Sequence, residues 1–146
     1  MLTARSEDQL DTLAQQLRTC GSSVATAAID LTEPDSIGSG LADLLGRGDT
    51  PSVLINNAGA AYTGDLVSMP LDRWQWLLQL NLTSVMQVCS VVVPEMRTKG
   101  GLVINISSHA ARNAFPQWGA YCITKAALAS FTPVSYTHLR AHETWS

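Results

Sequence analysis

Ser52-Val53-Leu54-Ile55-Asn56-Asn57-Ala58-Gly59 is the stretch on which the fold turns. Ser52 to Ile55 is an apolar run with turn residues before it and a glycine after it, the pattern of a buried strand. Asn56 and Asn57 then stand at its carboxyl end. Toward the amino terminus, a helix is predicted from about Glu33, with Pro34 in its first turn and Ile37, Leu41, Leu44 and Leu45 on one face. Gly46 and Gly48 end it. Val24 to Ile29, short and rich in small and β-branched residues between Gly21 and Asp30, reads as another buried strand. Before it, Ser6 to Gln9 has the capping-box form S-x-x-Q, and Leu10, Leu13, Ala14 and Leu17 recur at helical spacing until Gly21.

Toward the carboxyl terminus, a long helical pattern runs from Pro70 to about Lys99 through Trp74, Leu77, Leu78 and Val85, weakened near Pro94 by the Val91 to Val93 cluster. Gly101 opens Leu102 to Ile106, a β-branched run without alternation, as for a strand covered on both faces. Ser107 and Ser108 follow it. A last helix is predicted over Trp118 to Phe131, carrying Tyr121, Lys125 and Leu128. The order α-β-α-β-α-β-α predicts an α/β fold: a parallel sheet with helices on both faces and right-handed crossovers.

Composition excludes several classes. The 146 residues are 46% hydrophobic and 14% charged, the make-up of one globular domain with a core. A net charge of -3, with no lysine or arginine cluster, argues against a nucleic acid partner. Apolar runs such as Ser90 to Pro94 are far below bilayer-spanning length, and no basic n-region precedes an apolar stretch, so no membrane partner and a cytoplasmic location are expected. Cys20, Cys89 and Cys122 form an odd set without CxxC spacing, and His109, His138 and His142 form no metal set, so neither a disulfide framework nor a metal site is expected. His109 beside Ser108 does not suggest a serine hydrolase, because no G-x-S-x-G elbow exists.

In open parallel sheets, ligands collect beyond the carboxyl ends of the strands. Asp30, Asn56 to Gly59, and Ser107 with Ser108 all fall there. Tyr121 and Lys125 stand four apart, so on one turn of helix a phenol and an ammonium share a face. Trp74, Trp76 and Trp118 suit helix packing or a substrate mouth, and Trp118, three residues before Tyr121, is the one expected to touch substrate.

These residues, in this order and at these separations, resemble the short-chain dehydrogenases/reductases. The similarity rests on Asp30-Leu31-Thr32 after a strand, Asn56-Asn57-Ala58-Gly59, Asn81 in the long helix, Ser108, and Tyr121-x-x-x-Lys125 leading into Ala126-Ala127-Leu128, and it covers the chain to about Thr132. It implies a Rossmann-like, doubly wound sheet and an oxidoreductase that moves hydride between a nicotinamide and a carbonyl or secondary alcohol. A tyrosine hydroxyl titrates near pH 10 unperturbed, so acid/base work at neutrality needs a neighbouring positive charge. By resemblance, Lys125 supplies that charge and holds the nicotinamide ribose. Tyr121 is then the acid/base, Ser108 the hydrogen-bond partner of the reacting oxygen, and Asn81 a residue that interrupts its helix and holds a water relaying protons to the lysine. The resemblance also gives the Asp30 carboxylate the adenine amino group and adds Leu31 beside it; in the run Asn56, Asn57, Ala58 and Gly59 it has the first Asn tie strands together and the small residues admit the cofactor.

Leu2-Thr3-Ala4-Arg5 looks like the family's second strand end, with Ala4 where an NAD enzyme keeps an acid. Arg5 suits a ribose 2'-phosphate, so NADP(H) is favoured over NAD(H). The same residues also have structural readings. Tyr121 and Lys125 suit an ordinary amphipathic pair, Ser108 a turn cap, Asn81 a locally bonded helix residue, Asp30 a turn, and Arg5 a solvated surface.

Relative to that family, the chain is expected to be truncated at both ends. It starts inside the second strand, without the glycine-rich turn, and its last helix is cut off soon after Phe131. Residues 1-132 are expected to form the partial domain. Residues 133-146 are expected to be a non-native tail, the run from Val134 to Thr144 being similar to one reading frame of a sequencing adaptor. Three functions follow. The parent is an NADP(H)-dependent reductase or dehydrogenase, a homo-oligomer acting on a small carbonyl or alcohol. Alternatively it keeps the fold for epimerisation, dehydration or cofactor sensing. In the third reading, the chain as written is a non-catalytic fragment.

Overall fold

The computed structural model describes residues 1-48, 50-97 and 99-139, with 134-139 described in backbone alone. A short strand β1, Leu2–Ala4, leads into helix α1, Glu7–Thr19. Ser6 caps α1 by accepting the Gln9 N–H at 3.4 Å, and Gly21, at φ 85°, turns the chain out of it through the left-handed region. Strand β2, Thr26–Ala28, pairs parallel to β1, with Leu2 opposite Thr26 and Ala4 opposite Ala28. Helix α2, Pro34–Leu45, starts on Pro34, whose missing N–H costs nothing in a first turn.

Strand β3, Val53–Asn56, pairs parallel to β4, Leu102–Asn105, so that Asn56 faces Asn105. Between them one long helical segment runs as α3, Leu71–Leu78, a π turn at Gln79–Thr83, and α4, Ser84–Met96. At 26 residues this segment is long and apolar enough to cross a bilayer by length and composition alone, but much of its apolar side is core. A short 3-10 turn, His109–Ala111, precedes α5, Gly119–Leu139.

The main core lies between α2, α4 and the strands. Ile29, Ile37, Leu41, Val88, Val92 and Met96 are buried together, with Ala27, Leu54 and Val103 packed on them from the strands. A second cluster, Val85, Cys89 and Leu128, joins α4 to α5. Alternation in β2 turns Ala27 toward α2 and α4, while α1 packs on β1 and β2 with Leu10 and Ala14 buried. The β1–β2 layer therefore carries helices on both faces, as expected of the doubly wound fold.

The structure corrects three details. The parallel sheet is in two pieces, β1–β2 and β3–β4, because β1 and β3 do not pair. Their free edges instead line one apolar cleft of about 750 Å³. Next, β4 was expected to be covered on both faces, but β3 and β4 alternate. Leu54 and Val103 enter the core, while Val53, Ile55 and Leu102 are 48%, 59% and 55% exposed, since no described element packs on that side. Third, α5 passes the expected end at Phe131 and runs to Leu139 with Pro133 inside it. Of the segment set apart from Val134, residues 134-139 continue α5 and 140-146 lie outside the described residues.

Candidate active site

The carboxyl ends of β3 and β4 are locked side by side. Asn56 Nδ2 donates to Asn105 Oδ1 at 2.8 Å and reaches Cys89 Sγ at 3.5 Å, and Asn105 Nδ2 donates to Thr132 Oγ1 at 3.1 Å. Both strand ends are thereby tied to the helices behind them. Burial pushes the Cys89 thiol above its ordinary range, with the Asn56 amide partly offsetting this.

Past Asn56 the loop runs close under the long helix. The π turn carries Asn81, which is fully buried. Its Nδ2 donates to the Ala60 carbonyl at 2.8 Å and to Thr124 Oγ1 at 3.0 Å, and its Oδ1 accepts the Ala60 N–H at 2.9 Å. Gly59 sits where two polar groups converge. A Cβ built on it would stand 3.2 Å from Asn81 Oδ1 and 3.4 Å from Lys125 Nζ. Only a residue without a side chain leaves that space open.

Tyr121 and Lys125 do share one face of α5. Lys125 is 4% exposed, its Nζ donates to the Ile106 carbonyl at 2.9 Å, and the ammonium lies 5.9 Å from the centre of the Tyr121 ring. Burial lowers the pKa of this amine from its ordinary value. The half-buried Tyr121 ring is met edge-on by Trp118, with centroids 5.6 Å apart. Trp118 follows Gln117, whose φ of 64° is the one left-handed non-glycine backbone among the described residues. Gly64 N–H donates to the Gln117 carbonyl at 2.8 Å and so ties this turn to the loop after β3.

Ser108 lies beyond β4, and its hydroxyl accepts the Ala110 N–H at 3.1 Å, capping the 3-10 turn. Ser107 Oγ donates to the Lys125 carbonyl at 3.4 Å, a further tie between that strand end and α5. Arg5, Leu31 and Asn56 to Gly59 line the cleft between β1 and β3. Asp30 stands at the next strand end with its Oδ1 accepting the Thr32 N–H at 2.9 Å and the Thr32 hydroxyl at 2.7 Å. Those bonds hold its carboxyl below the ordinary range, the Arg5 charge adding a smaller pull in the same direction.

The structure thus brings together Asn81, Gly59, Tyr121 and Lys125 at one point, and Arg5, Leu31 and Asn56 to Gly59 around one cleft. Sequence reasoning missed Thr124, Ala60 and the Ile106 carbonyl. Two of these act through backbone atoms, which no side-chain pattern marks. Thr124 carried one signal, a hydroxyl between Tyr121 and Lys125. Among the described residues no group of three or more histidine, cysteine, aspartate or glutamate side chains is placed to hold a metal ion.

A family model for short chain dehydrogenases matches residues 1–143. Among curated proteins, the chain is 30% identical over 122 residues to a 3-oxoacyl-acyl-carrier-protein reductase of Chlamydia trachomatis, covering 83% of this chain and 48% of that protein. It is 32% identical over 131 residues to a serine 3-dehydrogenase of Rhizobium radiobacter, covering 89% and 51%. A metagenomic short-chain oxidoreductase solved in complex with NADP superposes with a TM-score of 0.90 at 30% identity, covering 97% of this chain and 65% of that one. L-Sorbose reductase from Gluconobacter frateurii, solved with NADPH and L-sorbose, gives 0.89 at 26% identity, covering 94% and 53%. The chain spans about half the length of the curated relatives it matches.

Proposed function

The chain belongs to the short-chain dehydrogenase family, and on that premise we propose that a whole protein carrying it is an NADP(H)-dependent oxidoreductase acting on a small carbonyl or secondary alcohol. One observation carries the reading. At Gly59 the Asn81 amide and the Lys125 ammonium converge beside Tyr121, and Gly59 itself lines the cleft that Arg5 also lines. Without a side chain, Gly59 leaves the Asn81 amide and the Lys125 ammonium unobstructed, and a guanidinium suits a 2'-phosphate. When bound, the nicotinamide supplies or takes the hydride.

The chain's own residues handle the proton and the charge. Tyr121 Oη gives its hydrogen to the substrate oxygen in reduction and takes one in oxidation. Lys125 holds positive charge beside the ring, which favours the phenolate once the proton has left. Ser108, at the end of β4, donates its hydroxyl hydrogen to the same oxygen, since its bond to Ala110 uses only a lone pair. Asp30, kept ionised by Thr32, accepts from an adenine amino group, and Leu31 packs beside that base.

NADP preference is supported by Arg5 beside Ala4 at the end of β1 and by the NADP and NADPH bound in the two similar solved proteins. The test is carbonyl-dependent oxidation of NADPH and of NADH by the whole protein and by its Arg5→Asp variant. The wild type should favour NADPH at least tenfold in kcat/KM and the variant should lose most of that margin, as a bidentate phosphate contact is worth roughly 1.5–3 kcal/mol. An NADH preference in the wild type contradicts the cofactor assignment.

A second reading concerns these 146 residues alone, and the split sheet favours it. With β1 and β3 unpaired across the cleft, no strand between them fixes Arg5 relative to the Asn56 to Gly59 loop. The isolated chain then binds cofactor weakly and does not turn over. Titrating NADPH against its tryptophan fluorescence checks this, and tight saturable binding would remove the reading.

A further inference from the structure

Thr124 lies between Tyr121 and Lys125 and, like Asn81, has no exposed surface. A threonine hydroxyl has one hydrogen to donate and two lone pairs to accept with. The hydrogen goes to the Tyr121 carbonyl, 2.9 Å away, and the oxygen accepts from Asn81 Nδ2 at 3.0 Å. The other Nδ2 hydrogen goes to the Ala60 carbonyl at 2.8 Å, while Oδ1 accepts the Ala60 N–H at 2.9 Å. These partners fix which end of the amide is oxygen, because a flipped Asn81 would set its NH2 group against the Ala60 N–H. The result is a continuous chain of hydrogen bonds. It runs from the loop after β3, through the π turn, into the turn of α5 that carries Tyr121 and Lys125.

We propose that Thr124 is a positioning residue for the reaction. Acting through the Asn81 amide, its hydroxyl sets the separation between the Asn57 to Ala60 loop and the Tyr121–Lys125 turn at which Gly59 packs on Asn81 and Lys125. The proposal rests on the reading of Asn81, Tyr121 and Lys125 given above. The geometry is demanding in one respect: Gly59 packs so closely on Asn81 and Lys125 that a Cβ on it would stand 3.2 Å from Asn81 Oδ1 and 3.4 Å from Lys125 Nζ. Because the amide holds both the N–H and the carbonyl of Ala60, a tilt of the amide moves the loop at Gly59 relative to Lys125. Thr124 resists that tilt because it accepts from the amide while its own hydrogen is committed to Tyr121. Asn81 would otherwise have a buried donor without a partner, a state that the surrounding structure moves to relieve.

Substitution with valine keeps the shape of Thr124 and removes the hydroxyl, whereas serine keeps the hydroxyl. The first readout needs no turnover. In the 146-residue chain, amide hydrogen exchange is measured for Ala60, held by Asn81, and for Leu102 and Ile106, held by the β3–β4 ladder at 2.9 Å each. Thr124→Val should speed exchange at Ala60 by about tenfold while leaving the other two within about twofold, and Thr124→Ser should restore Ala60. Unchanged exchange at Ala60, or an equal rise at all three amides, overturns the proposal, since the latter is plain loss of stability. If Thr124→Val does not fold, Thr124→Ala carries the same expectation. The second readout is kinetic, in the whole protein. Thr124→Val should lower kcat by about tenfold with KM for the carbonyl within about twofold, and serine should restore kcat. An unchanged kcat in a folded variant overturns the role. A wild-type protein with no NADPH-dependent turnover would sink the proposed function instead, and the exchange result would still decide whether Thr124 sets the loop.

Discussion

At the scale of single residues, Lys125 shows stability set against a site. Its amine is buried, and burial disfavours the charged form, so its pKa in the fold is lowered from the ordinary 10.5. For a lysine with a lowered folded pKa, the unfolded chain holds more protons between the two values. Stability therefore rises with pH across that window, and the full penalty is present below it. The bond to the Ile106 carbonyl offsets part of the cost. Lys125→Met in the 146-residue chain should unfold at an equal or higher urea midpoint than the wild type at neutral pH, and its advantage should shrink as pH approaches 10.5. Urea titrations at several pH values check both the sign and the window. The positions of Tyr121 and Lys125 were legible because i and i+4 must share a helical face. Thr124 was not, because a hydroxyl on a helix reads the same whether it faces water or a buried amide. Gly59 was read as room for a cofactor, but nothing in sequence says that Asn81 and Lys125 bound that room.

Among the elements, the strand ends carry the site and the helix ends were the easier to read. Ser6, Pro34 and Gly21 sit where capping and turn chemistry put them, because each acts on neighbours within one turn. The long helical pattern from Pro70 held as far as Met96, but its π turn at Gln79–Thr83 left no periodic trace. The extra residue of a π turn offsets the apolar stripe downstream by one position, and the nearly continuous apolar run of α4 masks that offset. The burial of β4 was misread for a different reason. An unbroken apolar run predicts two covered faces, and here the element that would cover the second face is not among those described. The Asn56–Asn105 bridge is the clearest test of how the ends are locked. Asn56→Ala removes the 2.8 Å bond and leaves Asn105 Oδ1 to find another donor. The variant should lose roughly 1–3 kcal/mol by urea denaturation.

For the whole molecule, alternation of strands with helices was enough to give the parallel α/β order, since short crossovers allow few other arrangements. It could not give the division of the sheet. Pairing of β1 with β2 and of β3 with β4 leaves two free edges facing one cleft, and the residues proposed to hold the cofactor, Arg5 and Asn56 to Gly59, lie on its two banks. The proposed acid/base centre does not depend on that division. Tyr121, Lys125, Thr124 and Asn81 are all placed by α5 and the π turn, within the half of the molecule that holds together around α4. The central claim is that the Tyr121 hydroxyl exchanges its hydrogen with a carbonyl-level oxygen. Its most direct test is the rate of carbonyl-dependent NADPH oxidation by the whole protein and by its Tyr121→Phe variant, with NADPH affinity measured on both. The account predicts a fall in kcat of about a hundredfold or more with NADPH affinity within a few-fold, as loss of a positioned acid does. An unchanged rate in the phenylalanine variant would contradict it.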